Sequence, residues 1–564
     1  MATALDQIMT ERIWLPYYPP GVAADIDVEV YPSLVALMED SFARYAERTA
    51  FHFMGRDLAY RELADWSAAF AAYLQSLGLA RGDRVAIMMP NVPQYPVAVA
   101  AILRAGYVLV NVNPLYTARE LEYQLKDSGT KAIVILENFA STLEKCLANT
   151  GVAHVVVCAM GDLLGPVKGV VVNWVVRKLK GMVPEFQLPL MVRFNAAVSK
   201  GRSCAFTQPP IGPDDVAVLQ YTGGTTGVSK GAVLLHRHLV ANVLQSEAWN
   251  LPALQLIPAG EQPTGVCALP LYHIFAFTIS MMLSLRLGGK TILIPNPRDI
   301  PAVLKALAPH RIHTFPAVSS LFNALVNHPD FGRVDWSHLT SSVGGGTAVL
   351  RGVAEQWLSK TGCAICEGYG LSETSPSVCC NPADVSAHDG SIGPPLPNTW
   401  VKLLDDGGQE VPVGQPGEIA VKGPQVMAGY WQRPDETAKV MTADGYMKTG
   451  DIGVMDVRGF FTIVDRKKDM ILVSGFNVFP SELEDLVSEL AGVHECACVG
   501  VPDVLTGEAV KLVLVKRDPS LTEDAVRAHC RANLTGYKQP KFIEFRTELP
   551  KTPVGKILRR ALRD

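Results

Sequence analysis

Between residues 84 and 136 short apolar runs alternate with helix-length segments. This exchange narrows the fold more than any other feature of the 564-residue chain. Residues 84–89 (RVAIMM), 107–112 (YVLVNV) and 131–136 (KAIVIL) read as buried strands, with helices at 95–105 and 118–127 between them. Such a rhythm predicts a mainly parallel sheet covered by helices. A second run follows, with strands at 265–269, 291–295 and 311–315 and helices at 275–287 and 300–307. Leu103-Arg-Ala-Gly106 leading to Asn113-Pro114 is echoed by Leu285-Arg-Leu-Gly288 leading to Asn296-Pro297. We therefore expect two related α/β layers with a cleft between them, and a ligand at the carboxyl ends of the strands.

Around these layers the chain changes character. Residues 31–80 predict helices about a short strand pair. Residues 391–461, rich in Pro and Gly, predict a small β-barrel-like unit. The charged stretch 465–469 (DRKKD) is the best linker, and a compact α+β unit follows it. The expected division is a large N-terminal domain over 1–464, a hinge over 465–469 and a small mobile domain over 470–564. A net charge of −4 offers no general electrostatic case for nucleic acid. The eleven cysteines are odd in number and scattered, and are read as reduced thiols of a cytoplasmic protein. Cys363, Cys366, Cys379 and Cys380 lack histidine or carboxylate partners at finger-like spacing, so strand ends are expected rather than a zinc site. No secretion signal opens the chain, and no uninterrupted apolar run is long enough to span a bilayer. Residues 163–180 pack apolar bulk and Trp174 beside a basic cluster. They are expected to form an ordinary core segment with a solvated basic edge, although the composition also suits the face of a membrane.

The stretch Tyr221–Gly231 (YTGGTTGVSKG) has the small residues and hydroxyls with which backbone N–H groups can close around a polyphosphate, and Lys230 adds charge. It follows a strand at 216–220, and 232–239 is expected to begin a helix, which would place an anion site at a helix N-terminus. A Walker-type loop is excluded, because Ser229 precedes Lys230 and Gly231 follows it.

Further motifs lie downstream. They are Gly344-Gly-Gly346, Glu367-Gly-Tyr-Gly-Leu-Ser-Glu-Thr374, Tyr446-Met-Lys-Thr-Gly-Asp-Ile-Gly453, the 465–471 stretch, Ser474-Gly-Phe-Asn477 and Pro550-Lys-Thr-Pro-Val-Gly-Lys556. Each alone is modest. With the loop, in this order, they resemble the adenylate-forming superfamily of acyl-CoA synthetases, luciferases and peptide-synthetase adenylation domains. The whole chain looks most like the bacterial long-chain fatty acid–CoA ligases.

The resemblance implies ATP-dependent conversion of a fatty acid to its CoA thioester through an acyl-adenylate, with ATP, Mg²⁺ and coenzyme A. Thr222, Gly223, Gly224, Thr225, Thr226, Gly227 and Lys230 would cradle the phosphates, with Thr226 also among the catalytic residues. Glu373 would hold Mg²⁺, and Lys556 would bridge the carboxylate and the α-phosphate as charge develops. Asp451 and Arg466 would fix the ribose. Tyr369 would offer a face to adenine, with Glu367, Gly368, Gly370 and Gly345 around it. Lys468 would be the hinge, and Gly475 would line the pantetheine tunnel. His273 would stand where acyl chain and pantetheine meet.

Long-chain relatives carry an aromatic gate four residues beyond that histidine, a place filled here by Phe277. No Asp stands ready for an α-amino group, and the apolar residues after Phe277 suit an alkyl chain. Eight residues follow Lys556, so free coenzyme A is the expected acceptor rather than a tethered carrier. A medium-chain or aryl acid is the alternative substrate within the family. A non-enzymatic lipid- or nucleotide-binding protein is the alternative outside it. Expected partners are the three substrates, with a homodimer and attachment to the inner face of the cell membrane compatible with the reading.

Overall fold

The computed structural model describes residues 12–222, 229–383, 388–474, 476–551 and 557–563. Strand Arg84–Met88 lies between Val108–Asn111 and Ala132–Leu136 in a seven-stranded sheet. That sheet runs on through His154–Cys158 to Val192–Arg193 at one edge, and through Val216–Thr222 to Lys230–Leu235 at the other. In an eight-stranded sheet Thr264–Cys267 lies in the same way between Lys290–Leu293 and Thr314–Ala317. Every pairing within these two trios is parallel.

The sequence echo is therefore an echo of topology, and it extends to single residues. Gly106 and Gly288, with φ of +77° and +64°, each turn the chain from a helix into the second strand of a trio. Asn113 Oδ1 accepts from the Leu115 N–H at 3.0 Å, and Asn296 Oδ1 accepts from the Arg298 N–H at 3.2 Å. Both asparagines close the same kind of side-chain turn beyond that strand.

Alternation along the strands separates the layers. Val85 and Ile87 join a central core with Cys267, Leu293 and the helices Tyr60–Gln75 and Gln94–Arg104. Ala86 and Met88 face the opposite way, toward Leu121 and Leu125 of helix Ala118–Ser128. In the other sheet Val266 and Ile292 face outward, toward Phe322 and Trp357. Two sheets thus share one helical filling and carry helices on their outer sides.

Beyond them Trp400–Leu404, Gly417–Lys422, Met447–Met455 and Phe461–Arg466 form a four-stranded antiparallel meander. It is joined to the eight-stranded sheet by bridges Cys379–Pro395 and Gly393–Phe461. The C-terminal unit is a five-stranded sheet holding Ile471–Val473, Val493–Asp503 and Gly507–Lys516, covered by helices Pro480–Ser488 and Glu523–Asn533. All eleven cysteines are free thiols, and Cys366 and Cys379 lie buried on strands as expected.

Two expectations are corrected. Residues 230–235 are a strand paired antiparallel with Val216–Thr222, Thr222 opposite Lys230, and the helix begins only at His236. The glycine-rich stretch therefore joins two strands, and a helix N-terminus is not its base. Residues 163–180 are core only in part: Leu164 and Val176 are buried in the central core, Leu163 and Val172 pack against it, and Lys178 and Lys180 form the exposed basic edge. The segment carries helix Pro166–Trp174, whose Val167, Val170, Val171 and Trp174 are exposed. Hydrophobic content suggested burial there, whereas Gly169 and Asn173 occupy the side turned to the protein.

Candidate active site

Strand Val216–Thr222 delivers Thr222 to its carboxyl end, and the return strand begins at Lys230. The Ser229 hydroxyl donates to the Thr222 carbonyl at 2.6 Å, closing the neck between them. Residues 427–433 lie along the return strand. The Trp431 N–H donates to the Gly231 carbonyl at 2.8 Å, and Ala232 bridges Tyr430. That register sets the Tyr430 ring 4.9 Å beneath the Lys230 ammonium, which is also ion-paired with Glu436. The hydrogen bonds from Lys230 and Lys439 hold the Glu436 carboxyl down at about 2.

Tyr430 also reaches the other way. Its hydroxyl donates to Glu373 Oε1 at 2.8 Å, while the Met427 N–H donates to the Glu373 carbonyl at 2.8 Å. Glu373 sits on a short turn, Ser372–Thr374, beyond strand Ile365–Gly370. Burial pushes its carboxyl above the usual range, against the pull of the Tyr430 hydroxyl. A cavity of about 180 Å³ opens beside it, lined in part by Glu418, Tyr430, Lys448 and Thr449.

The same strand carries Tyr369, whose hydroxyl donates to Asp451 Oδ2 at 2.6 Å. The other Asp451 oxygen lies 3.1 Å from Arg466 Nε, its opposite residue across the meander. Asp451 is buried and Arg466 half-exposed, so the acid is held from both sides while the guanidinium keeps an open edge. The cavity beside Glu373 is also walled by Gly450, which directly precedes Asp451, so the two acids share one neighbourhood.

Gly344 pairs with Glu367 and Gly345 with Gly368 on adjacent parallel strands. The glycines are there for close approach: a methyl group on Gly345 would come within 3.0 Å of the Phe275 ring, and one on Gly370 within 1.9 Å of the Pro376 carbonyl oxygen. Glu367 is buried, accepts from the Val349 N–H at 3.1 Å and faces His388 Nε2 at 3.2 Å. Burial raises the Glu367 carboxyl, and the hydrogen bond to that acid raises His388.

His273 follows strand Thr264–Cys267 on a turn leading into a π-helix, Ala276–Met282. Its carbonyl accepts from the Phe277 N–H at 3.0 Å. Phe277 is wholly buried in the central core, and it is Phe275 that lies against Gly345. Single-turn π-helices often mark functional positions.

At the linker, Lys468 is an exposed residue whose ammonium is lowered by partial desolvation and by the charge of Arg466. Its neighbour Asp465 accepts from the Ser481 N–H at 2.8 Å and meets Arg559 Nη1 at 3.3 Å. Gly223, Gly224, Thr225, Thr226, Gly227, Gly475 and Lys556 lie outside the described residues.

Thr222, Lys230, Glu373, Tyr369, Asp451 and Arg466 are thus brought together. Sequence reasoning missed Tyr430, Glu436 and His388. Tyr430 stands 57 residues from the acid it holds, and only its pairing with the return strand reveals it.

The chain is similar to known proteins over nearly its whole length. The family model described as "AMP-binding enzyme" matches residues 38–431, and "AMP-binding enzyme C-terminal domain" matches 482–556. A long-chain-fatty-acid–CoA ligase of Escherichia coli is 55% identical over 555 residues, covering 98% of each chain. A feruloyl-CoA synthase of an Amycolatopsis species is 35% identical over 521 residues, covering 91% of this chain and 95% of that one. The crystal structure of ATP-bound MatB from Rhodopseudomonas palustris superposes with a TM-score of 0.78 at 28% identity, covering 94% of this chain and 98% of that one.

Proposed function

The chain belongs to the AMP-binding enzyme family, and from that premise we propose that it activates a long-chain fatty acid to its coenzyme A thioester, with AMP as the nucleotide product. One observation carries the reading. A phosphate-loop lysine, a tyrosine-held acid and a second acid tied to an arginine converge from the seven-stranded sheet, the eight-stranded sheet and the meander.

In this reading the fatty carboxylate attacks the α-phosphate of ATP and pyrophosphate leaves. Lys230 binds the departing phosphates, exchanging Glu436 for them as it does so. Glu373, a hard oxygen donor short of full charge compensation, suits Mg²⁺, which would offset triphosphate charge. Asp451 accepts from the ribose hydroxyls, held in orientation by Tyr369 and Arg466. Tyr369 and the glycines of its strand bound the adenine, with Glu367 and His388 fixing that wall. Lys556 stabilises charge that grows only in the transition state. Rotation about Lys468 then withdraws Lys556 and presents Gly475 to the pantetheine arm. The thiol attacks the acyl carbonyl near His273, releasing AMP. Phe277 has to turn aside for a long chain, and we assign it as the gate.

Identity to the feruloyl-CoA synthase favours an aryl acid as the second reading. Pyrophosphate release with palmitate, octanoate and a cinnamate, each alone and then in competition, separates the two. Palmitate is expected to dominate; preference for the cinnamate would replace the first reading with the second. Among the described residues no helix is long and apolar enough to cross a membrane. We place the enzyme in the cytoplasm, at the inner face of the cell membrane, where its substrate dissolves.

A further inference from the structure

Helix Pro166–Trp174 and the π-turn Val175–Leu179 that continues it are amphipathic in the inverted sense. Gly169, Val172, Asn173 and Val176, at helical spacing, face the protein, with Val172 packed on the central core. A methyl group on Gly169 would come within 2.4 Å of the Gly161 carbonyl oxygen, Asn173 Oδ1 accepts from the Gly161 N–H at 2.6 Å, and Val176 is buried. Arg177 closes a fork on the buried Glu137 at 2.7 and 2.8 Å, and Arg193 meets the same acid at 2.7 Å. The helix is thereby locked in rotation, and what it turns outward is Val167, Val170, Val171, Trp174 and Leu179. Of these Val167 is 77%, Trp174 57% and Leu179 71% exposed. An apolar face held outward by polar contacts on its inner side marks an interaction surface.

We propose that this face docks on an anionic phospholipid bilayer. Between Asp162 and Glu185 the chain has no acidic residue, but it has Lys168, Arg177, Lys178 and Lys180. Lys178 and Lys180 are exposed beside the apolar residues. A two-fold contact with a second copy would set this cationic strip against itself, whereas anionic headgroups neutralise it while the valines and Trp174 enter the acyl boundary. Val170 and Asn173 also wall a cavity of about 450 Å³ whose lining includes Arg202, Asp162 and an Arg56 already paired with Glu62. The surface rests on the fatty-acid reading for its purpose, not for its geometry.

The test is sedimentation of the full-length protein with vesicles of phosphatidylglycerol and phosphatidylcholine in equal parts, and with phosphatidylcholine alone. Wild type is expected to bind the first and not the second. Lys178→Gln with Lys180→Gln should weaken binding about thirtyfold, at about fivefold for each cation. Trp174→Ala should weaken it by about tenfold or more, because binding follows the apolar area buried. Both variants should keep the wild-type melting temperature and turnover of octanoate without vesicles. Failure of wild type to bind, or binding by both variants equal to wild type, overturns the proposal. So does a wild-type dimer that Trp174→Ala converts to monomer. Vesicle binding without fatty-acid turnover would sink the catalytic reading and leave the surface standing.

Discussion

Tyr430 ties two charges together through one side chain, its hydroxyl on Glu373 and its ring under Lys230. Tyr430→Phe removes the first contact and keeps the second. A hydrogen bond to a charged group contributes about 1.5–3 kcal/mol. We therefore expect pyrophosphate release to fall roughly tenfold or more, with a higher Mg²⁺ concentration needed for half-maximal rate. A Mg²⁺ titration of both proteins checks this, and an unchanged midpoint would show that Glu373 needs no such support. The motif acids and glycines were legible in the sequence because their chemistry requires those residue types in that order. Tyr430 and His388 were not, since a lone tyrosine or histidine outside a motif reads as ordinary packing. Only the folded register shows what each one touches.

At the scale of elements, the helix His236–Gln255 begins on two buried histidines. His236 Nδ1 accepts from the Leu34 N–H and His238 Nδ1 from the Leu235 N–H, each at 3.2 Å. An accepting nitrogen must be neutral, and burial lowers both rings to about 4 from 6.5. Between those values the unfolded chain takes up protons that the folded chain refuses, so each histidine's contribution is intact above pH 6.5 and declines as pH falls toward 4. The loss is on the order of 3 kcal/mol per ring. His236→Asn keeps an acceptor without the titration, and its stability measured by urea unfolding should fall less steeply over that window. An identical slope would mean that the ring is not neutral in the folded state.

This region also shows what spacing leaves undetermined. Residues 230–235 form a strand because they fold back on Val216–Thr222 and also pair with residues 428–431, contacts that apolar content does not record. Helix 166–174 departs in part from the core expectation for a related reason. Composition reports how apolar a segment is, while Gly169 and Asn173 decide which side faces the protein. The two sheets were legible because alternation and the repeated Gly and Asn turns act locally in each trio.

For the whole molecule, Arg559 joins Asp465 ahead of the linker lysine to Asp469 and Glu484 beyond it. Arg559→Gln strands the buried Asp465 and two half-buried acids, and a broken buried pair costs about 3–5 kcal/mol. The C-terminal unit should then melt earlier than the rest, seen by calorimetry as a separated transition. A single unshifted transition would deny the clamp that role. If the small domain alternates between two tasks, Lys556→Ala should lose activity from acid and ATP yet still convert supplied acyl-AMP to thioester. Equal loss in both half-reactions would refute the division. The most direct measurement follows palmitate, ATP and coenzyme A through one turnover by mass spectrometry, first without coenzyme A and then with it. The account predicts palmitoyl-AMP and pyrophosphate in the first stage, then palmitoyl-CoA and AMP in equal amounts. Formation of ADP and orthophosphate, or thioester without a prior adenylate, would contradict it.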